Sequence, residues 1–128
     1  ITPKGTYKIT QILCRKDRVN KIRSKFKIKS ITRKLGWCND VHSKNYNKLI
    51  KYPFKYTSEK LFRKDNIYDI VLVLNYNMNP VKIYKGSAIF IHVSKSNFKS
   101  TEGCNALKKR ELRNLVKRVS RKTRIKII

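Results

Sequence analysis

The stretch that decides the fold is GSAIFIHV, Gly86–Val93, read together with STEGC, Ser100–Cys104. The first stretch is apolar and rich in β-branched residues up to its histidine, which predicts a buried strand that ends near His92. Cys104 follows His92 by twelve residues and sits in a glycine-containing turn. A thiol is a strong nucleophile only as thiolate, and imidazole is a common base that produces it. The pair therefore indicates nucleophilic catalysis, and the alternative is a core histidine with an inert cysteine.

The remaining pattern predicts a mainly β domain. Five stretches show strand-like alternation or runs of β-branched residues, and the fourth is part of the stretch quoted above: Tyr7–Leu13, Lys25–Ile31, Ile67–Leu74, Ala88–Val93 and Thr123–Ile128. In the first, we place Tyr7, Ile9 and Leu13 on one face. Lys108–Val119 carries apolar residues at helical spacing and predicts one amphipathic helix after the cysteine turn. Residues 57–59 (Thr-Ser-Glu) predict a short additional helix, and residues 35–54 predict a long irregular segment ordered by Trp37 and Tyr46.

Length and charge narrow the class of protein. A chain of 128 residues predicts a single domain, residues 1–128, and no apolar run reaches the roughly 20 residues of a membrane-spanning helix. Lys and Arg number 33 against 7 Asp and Glu, so the net charge is +26. That charge indicates either a polyanion partner or compositional drift. We favour drift, because the abundant residues Lys, Ile and Asn all have AT-rich codons and the lysines are spread from Lys4 to Lys126.

The cysteine count argues against structural metal. There is no C-x-x-C and no Cys/His cluster at zinc-finger spacing, so we expect no metal site and no cofactor. A Cys14–Cys38 disulfide is compatible with an oxidising compartment and would leave Cys104 as the free thiol.

The order of the motifs resembles one enzyme family. The motifs are TPKGTY at residues 2–7, GWCND at 36–40, YN at 46–47, YD at 68–69, GSAIFIH at 86–92 and TEGCNAL at 101–107. In this order they resemble the L,D-transpeptidase catalytic domain (YkuD-type), in a subgroup with a short loop between histidine and cysteine. In such domains one or two strands precede the Thr-Pro-x-Gly-Thr turn, so we expect this chain to lack its N-terminal strand or strands.

The resemblance implies a fold and a chemistry. It implies a β-sandwich-like fold and a cell-envelope enzyme, periplasmic or extracytoplasmic, that cuts a peptidoglycan stem peptide after its third residue and transfers the acyl group to an amine through a thioester. Cys104 would be the nucleophile, His92 its base, and backbone amides near Gly103 and Cys104 the oxyanion hole. It implies peptidoglycan stem peptides as partners, and the charge adds anionic cell-wall polymers; specific nucleic acid is not expected.

The sequence departs from the common family motif in three places: Glu102 replaces a histidine, Asn105 stands where an aliphatic residue is usual, and Ala106 stands where Arg or Asn is frequent. Where Ser-His-Gly-Cys is frequent, this chain has Thr101-Glu102-Gly103-Cys104, and the next two residues are Asn105 and Ala106. We take five residues as candidates for lining a substrate cleft: Thr101, Glu102, Trp37, Asp40 and Tyr46. The polar composition around Asp40 and Tyr46 favours an architectural role for those two.

One alternative belongs to a different functional class. The chain could be a basic module that binds nucleic acid or another polyanion without catalysis, with His92 and Cys104 incidental. Salt-sensitive binding would support that reading, whereas acylation of one thiol would support the enzyme. We favour the enzyme, because charge explains none of the glycine, histidine and cysteine placements.

Overall fold

The computed structural model describes residues 3–95 and 105–128. Its larger sheet has six strands, with β1 hydrogen-bonded to β2, β6 and β9, and with β7 between β6 and β8. A smaller antiparallel sheet has the order β4-β3-β5. The strands are β1 Gly5–Cys14, β2 Lys29–Ser30, β3 Leu35–Cys38, β4 Leu49–Lys51, β5 Ser58–Lys60, β6 Ile70–Leu74, β7 Phe90–Val93, β8 Ala106–Leu107 and β9 Arg124–Ile127, and the helix α1 is Lys109–Arg118. The predicted mainly β class with one amphipathic helix is confirmed.

The two faces of the larger sheet carry separate cores. On β6, Ile70, Leu72 and Leu74 belong to one cluster, and the intervening valines belong to the other. All five residues of β6 are buried, which explains why this strand reads as a continuous apolar run rather than an alternating one. The first cluster is covered by α1, and the second is covered by the smaller sheet. The molecule is therefore layered as helix, large sheet and small sheet.

A register shift in β1 changes which residues face each core. Tyr7 and Ile9 lie in the helix-side cluster, and so does Ile12, whereas Leu13 lies in the opposite cluster. The pairing of β1 with β6 is irregular between Ile9 and Gln11. An extra residue in one strand inverts the alternation beyond it. Our placement of Leu13 on the same face as Tyr7 and Ile9 is therefore wrong.

The helix forms for the reasons that the sequence predicts. Leu112 and Val116 are fully buried against the sheet and Val119 lies just past the end of the helix. The Glu111 carboxylate accepts a hydrogen bond from the Lys108 backbone N–H at 3.2 Å, which satisfies a donor at the first turn. Lys117 and Arg118 occupy the last turn, where cations interact favourably with the helix dipole.

Three local expectations are corrected. Residues 57–59 do not form the short additional helix: Ser58–Lys60 is strand β5, because its backbone pairs with β3. The segment 35–54 contains two strands of the smaller sheet, β3 and β4, rather than being irregular throughout. Of the predicted Lys25–Ile31 strand, only Lys29–Ser30 forms a strand, β2, which pairs with β1, and the predicted exposure of its lysines is confirmed.

Two further properties concern the cysteines and the membrane. Cys14 and Cys38 are free and buried, so the disulfide that the sequence allowed between them is not formed. Within residues 3–95 and 105–128, no helix is long and apolar enough to cross a bilayer.

Candidate active site

His92 lies in β7 at the end of the sheet where β6 begins. Its backbone is opposite Val71 of β6 on one side and opposite Ala106 of β8 on the other. The His92 N–H donates to the carbonyl oxygen of Asn105 at 3.0 Å. The strand that follows the cysteine turn is therefore hydrogen-bonded directly to the histidine strand, and this pairing was not predicted from the sequence.

The ring of His92 is held by a neighbouring carbonyl. Its Nδ1 lies 3.0 Å from the carbonyl oxygen of Val93. Because a carbonyl can only accept a hydrogen bond, this contact requires the proton to be on Nδ1. In the neutral imidazole with this tautomer, Nε2 carries the lone pair that can accept a proton. The carbonyl of the next residue in the chain is therefore the group that orients the ring.

An aromatic side chain supports the imidazole from the side. The ring of Tyr68 meets that of His92 at a centroid distance of 5.8 Å and an interplanar angle of 82°, an edge-to-face contact. Tyr68 also contacts Phe90 in the same way at 5.8 Å. The Tyr68 hydroxyl donates a short hydrogen bond to the carboxylate of Glu59. Burial raises the pKa of Tyr68 well above its usual range, and the bond to Glu59 adds to this, so the phenol stays protonated.

The buried carboxylate of Asp69 links the start of β6 with helix α1 and with the segment that follows β1. Asp69 is 1% exposed and accepts from Arg18 at 2.9 Å, from Lys109 at 3.0 Å and from the Asn66 amide at 2.7 Å. Burial acts to raise the pKa of Asp69, but these three bonds outweigh it, so its pKa lies below the usual value. Asp69 therefore remains ionised and links the start of β6 to the first residue of α1.

Four predicted site residues lie outside the described residues. They are Thr101, Glu102, Gly103 and Cys104. Their assigned roles as cleft residues, oxyanion turn and nucleophile remain predictions.

The three other cleft candidates do not meet His92. Within the described part of the chain, no hydrogen bond or ring contact joins Trp37, Asp40 or Tyr46 to the imidazole. Trp37 is 1% exposed and packs edge-to-face on Phe90 at 5.1 Å, although it also borders a small cavity of about 200 Å³. Tyr46 is buried as well.

Asp40 organises the backbone of its own loop. Its carboxylate accepts from the N–H of His42 at 2.9 Å and from the N–H of Thr57 at 3.1 Å. These two bonds hold the pKa of Asp40 below its usual value. The geometry agrees with the architectural role that its surroundings favoured. His42 itself is exposed, as expected for a polar loop.

A buried asparagine joins the smaller sheet to the loop before β7. The side-chain oxygen of Asn47 accepts from Trp37 Nε1 at 2.9 Å and from the Ala88 N–H at 3.0 Å. Its amide donates to the carbonyls of Tyr76 and Asn77 at 3.1 and 2.8 Å. All the bonding capacity of this side chain is used within the fold, so its role is to position the start of β7.

The sequence reasoning missed two residues near the imidazole. Tyr68 was noted only as part of the YD motif, and Glu59 only as an acid in the first turn of a helix. One signal was available for Tyr68, because it stands at the start of a buried strand, where a polar tip needs a partner. The pairing with Glu59 depends on the smaller sheet and had no local signal.

Among residues 3–95 and 105–128, no group of three or more His, Cys, Asp or Glu side chains could hold a metal ion.

Comparison with protein families gives one match. The model of the L,D-transpeptidase catalytic domain (YkuD) matches residues 1–127, nearly the whole chain. The chain belongs to the L,D-transpeptidase catalytic domain family. No curated protein and no solved structure matches it significantly. Membership points to an acyltransferase of peptidoglycan, with stem peptides as the implied substrates, and members of this family are typically cell-envelope enzymes.

Proposed function

We propose that this L,D-transpeptidase domain works through a cysteine thioester on peptidoglycan stem peptides, with Cys104 as nucleophile and His92 as base. The observation that carries the proposal is the bond between His92 Nδ1 and the Val93 carbonyl, 3.0 Å long. It assigns the lone pair to Nε2 and holds the ring in one orientation. A base that is fixed in its correct tautomer is what general-base activation of a thiol requires.

Exclusion of the other thiols supports Cys104. Cys14 and Cys38 are both 0% exposed, so a peptide carbonyl cannot reach them. Burial is also the main cause that raises the pKa of Cys14, to about 11, which leaves almost no thiolate at neutral pH. Of the three cysteines in the chain, only Cys104 is left as a candidate nucleophile.

Chain connectivity gives a second line of support. Cys104 immediately precedes Asn105, whose carbonyl oxygen lies 3.0 Å from the His92 N–H. Asn105 and Ala106 are therefore held beside His92, and the proposed nucleophile is the residue that directly precedes them in the sequence.

The proposed reaction has two steps, acylation of Cys104 and transfer of the acyl group from it. The Cys104 sulfur attacks the peptide carbonyl carbon while Nε2 of His92 takes the thiol proton, and the amide C–N bond then breaks as that proton passes to the departing amine. Backbone amides at Gly103 and Cys104 stabilise the oxyanion in this proposal. An incoming amine then attacks the thioester carbonyl carbon while Nε2 of His92 takes its proton. The C–S bond breaks, the departing Cys104 sulfur recovers that proton, and the product is a cross-linked or remodelled stem peptide. Attack by water in place of the amine gives carboxypeptidase activity. We place this reaction in the periplasm or another extracytoplasmic space.

Mass spectrometry of the intact protein tests the proposal. The chain is incubated with a carbapenem or with a tetrapeptide muropeptide, and the adduct is mapped to one cysteine. We expect one acyl group on Cys104, with Cys14→Ala and Cys38→Ala still acylated and Cys104→Ala unmodified. An adduct on Cys38, or no adduct in the wild type, would overturn the assignment.

A further inference from the structure

A cationic cavity opens beside the first residues that follow β1 and β5. It has a volume of about 560 Å³, within the usual size of small-ligand sites. Six cationic side chains and one carboxylate, that of Asp17, line it around the ring of Phe62; the cations are Arg15, Arg18, Arg33, Lys60, Arg63 and Lys64.

Three of these cations belong to the structure of the wall. Arg15 is buried, pairs with Asp17 at 2.7 Å and lies 3.7 Å from the centre of the Phe62 ring. Arg18 pairs with Asp69 at 2.9 Å, and Arg63 pairs with the carboxylate of Asp65 at 2.7 Å.

The same guanidinium groups also hold the backbone of the cavity loop. Arg15 donates to the carbonyl of Arg63 at 2.8 Å. Arg18 donates to the carbonyls of Lys64 at 3.0 Å and Asp65 at 2.6 Å. The loop is therefore braced by three side chain–backbone bonds, so the cavity is a preformed feature of the fold.

The other three cations have no carboxylate partner within the described residues. Arg33, Lys60 and Lys64 are exposed, and no ion pair involves them. Arg33 lies 5.3 Å from the Phe62 ring centre, on a ring that Arg15 also contacts. These three charges remain available to an anionic ligand, and Phe62 offers an apolar surface beside them.

Two successive side-chain contacts connect the cavity with the imidazole of His92. Arg63 lines it and also lies 5.7 Å from the centre of the Tyr68 ring. Tyr68 in turn meets the His92 ring at 5.8 Å. A peptide whose carbonyl is at His92 can therefore reach the cavity within a few residues, because an extended chain covers about 3.3 Å per residue.

We propose that this cavity binds the free carboxylates of the stem peptide and so selects anionic over amidated substrates. This inference rests on the proposed function. Arg33, Lys60 and Lys64 would attract the carboxylates, and Phe62 would pack against the methylene groups that carry them. These are exposed charges, so the attraction is screened by salt.

The test compares two stem tetrapeptides that differ only in their side-chain carboxylates, free or amidated. Acylation of Cys104 is followed by mass spectrometry over a range of peptide concentrations in the wild type and in a triple variant, R33Q/K60Q/K64Q. We expect the triple variant to acylate about tenfold more slowly with the free peptide at subsaturating concentration, through weaker binding rather than a lower maximal rate, since each exposed pair is worth up to about fivefold. With the amidated peptide the two proteins should be equal.

Two controls distinguish the general effect of removing surface charge from the specific effect of removing charge at the cavity. K122Q/R124Q/K126Q removes the same number of exposed charges near and on β9, which pairs with the opposite end of β1, and should acylate like the wild type. Iodoacetamide is neutral, so its reaction with Cys104 should be unchanged in all three proteins. If both triple variants are slowed equally, or if R33Q/K60Q/K64Q matches the wild type, the cavity is not the carboxylate site while the proposed function stands. A wild type that forms no adduct with either peptide overturns the proposed function and this inference with it.

Discussion

The two faces of the larger sheet are built from different side chains. The face under α1 is mainly aliphatic, with Ile12, Leu72, Leu112 and Val116 among its buried residues, and in the described part of the chain its two buried aromatic residues are Tyr7 and Phe26. The opposite face packs the buried aromatic residues Trp37, Tyr68 and Phe90 together with aliphatic ones, and Trp37 and Tyr68 each carry a polar atom that is hydrogen-bonded. His92 extends from β7 beside the aromatic residues, and its ring rests on Tyr68.

The two faces therefore have different roles: the face under α1 mainly stabilises the fold, and the opposite face positions the imidazole of His92. Aliphatic packing is non-directional and contributes mainly through the apolar area removed from water. Aromatic edges and hydrogen-bonded tips have preferred directions, so they fix where a neighbouring ring can lie. We therefore expect substitutions under α1 to change the free energy of unfolding, and substitutions around Tyr68 to change the reactivity of the folded protein.

The largest effect is expected at the base. His92→Ala should lower the rate of acylation at Cys104 by about 10²- to 10⁴-fold, because general-base activation of the thiol is lost. The free energy of unfolding of His92→Ala should stay close to that of the wild type, since the ring is only half-buried. Rates come from intact-mass kinetics and stability from urea denaturation. An acylation rate within threefold of the wild type would remove His92 from the mechanism.

A substitution on the face under α1 should have the opposite effect: it should lower stability and leave the acylation rate unchanged. Leu112→Ala should lower the free energy of unfolding by about 3 kcal/mol, because a fully buried side chain leaves a cavity. The acylation rate of the folded fraction should stay unchanged. Leu115→Ala is the matched control and should cost less, because Leu115 is only partly buried. A slowed acylation in folded Leu112→Ala would break the separation between the two faces.

The buried carboxylate should make stability depend on pH. The folded-state pKa of Asp69 is depressed, so its contribution is present above the unfolded pKa of about 4 and is lost as the pH falls through the lower folded value. Asp69→Asn should lower the free energy of unfolding by about 2 kcal/mol at pH 7, because charged hydrogen bonds to Arg18 and Lys109 are weakened.

The pH series supplies the check on that prediction. Denaturation of wild type and Asp69→Asn between about pH 7 and pH 3 should give curves that converge on acidification, because protonated Asp69 loses the same interactions. Parallel curves would mean that another carboxylate dominates the acid response.

The smallest effect is expected at the tyrosine hydroxyl. Tyr68→Phe should lower the free energy of unfolding by about 1 kcal/mol, since the bond to Glu59 is removed, and should change acylation less than about threefold. Tyr68→Ala also removes the ring that rests on His92 and should slow acylation by about tenfold or more. Equal acylation rates in the two variants would show that the ring does not position the imidazole.

Local patterns predicted the elements whose signals are short-range. The periodicity of residues 108–119 marks helix α1 within one residue at each end. The apolar runs that end at Leu74 and Val93 mark β6 and β7, because buried strands need apolar side chains on both faces. Errors occurred where long-range pairing decides the structure. Residues 58–60 have helix-start chemistry, yet pairing with β3 makes them a strand.

The sequence by itself determined the family and the mainly β class and supplied His92 and Cys104 as the candidate residues for the chemistry, because those depend on residue types and their order. The motif order and the spacing of His92 and Cys104 are legible without coordinates. Only the tertiary structure decided three further features: the inverted alternation after Ile9, the Glu59–Tyr68–His92 contacts and the cationic cavity around Phe62. Each joins residues from separate strands or loops, and the register that brings them together is set by packing between layers rather than by any local signal.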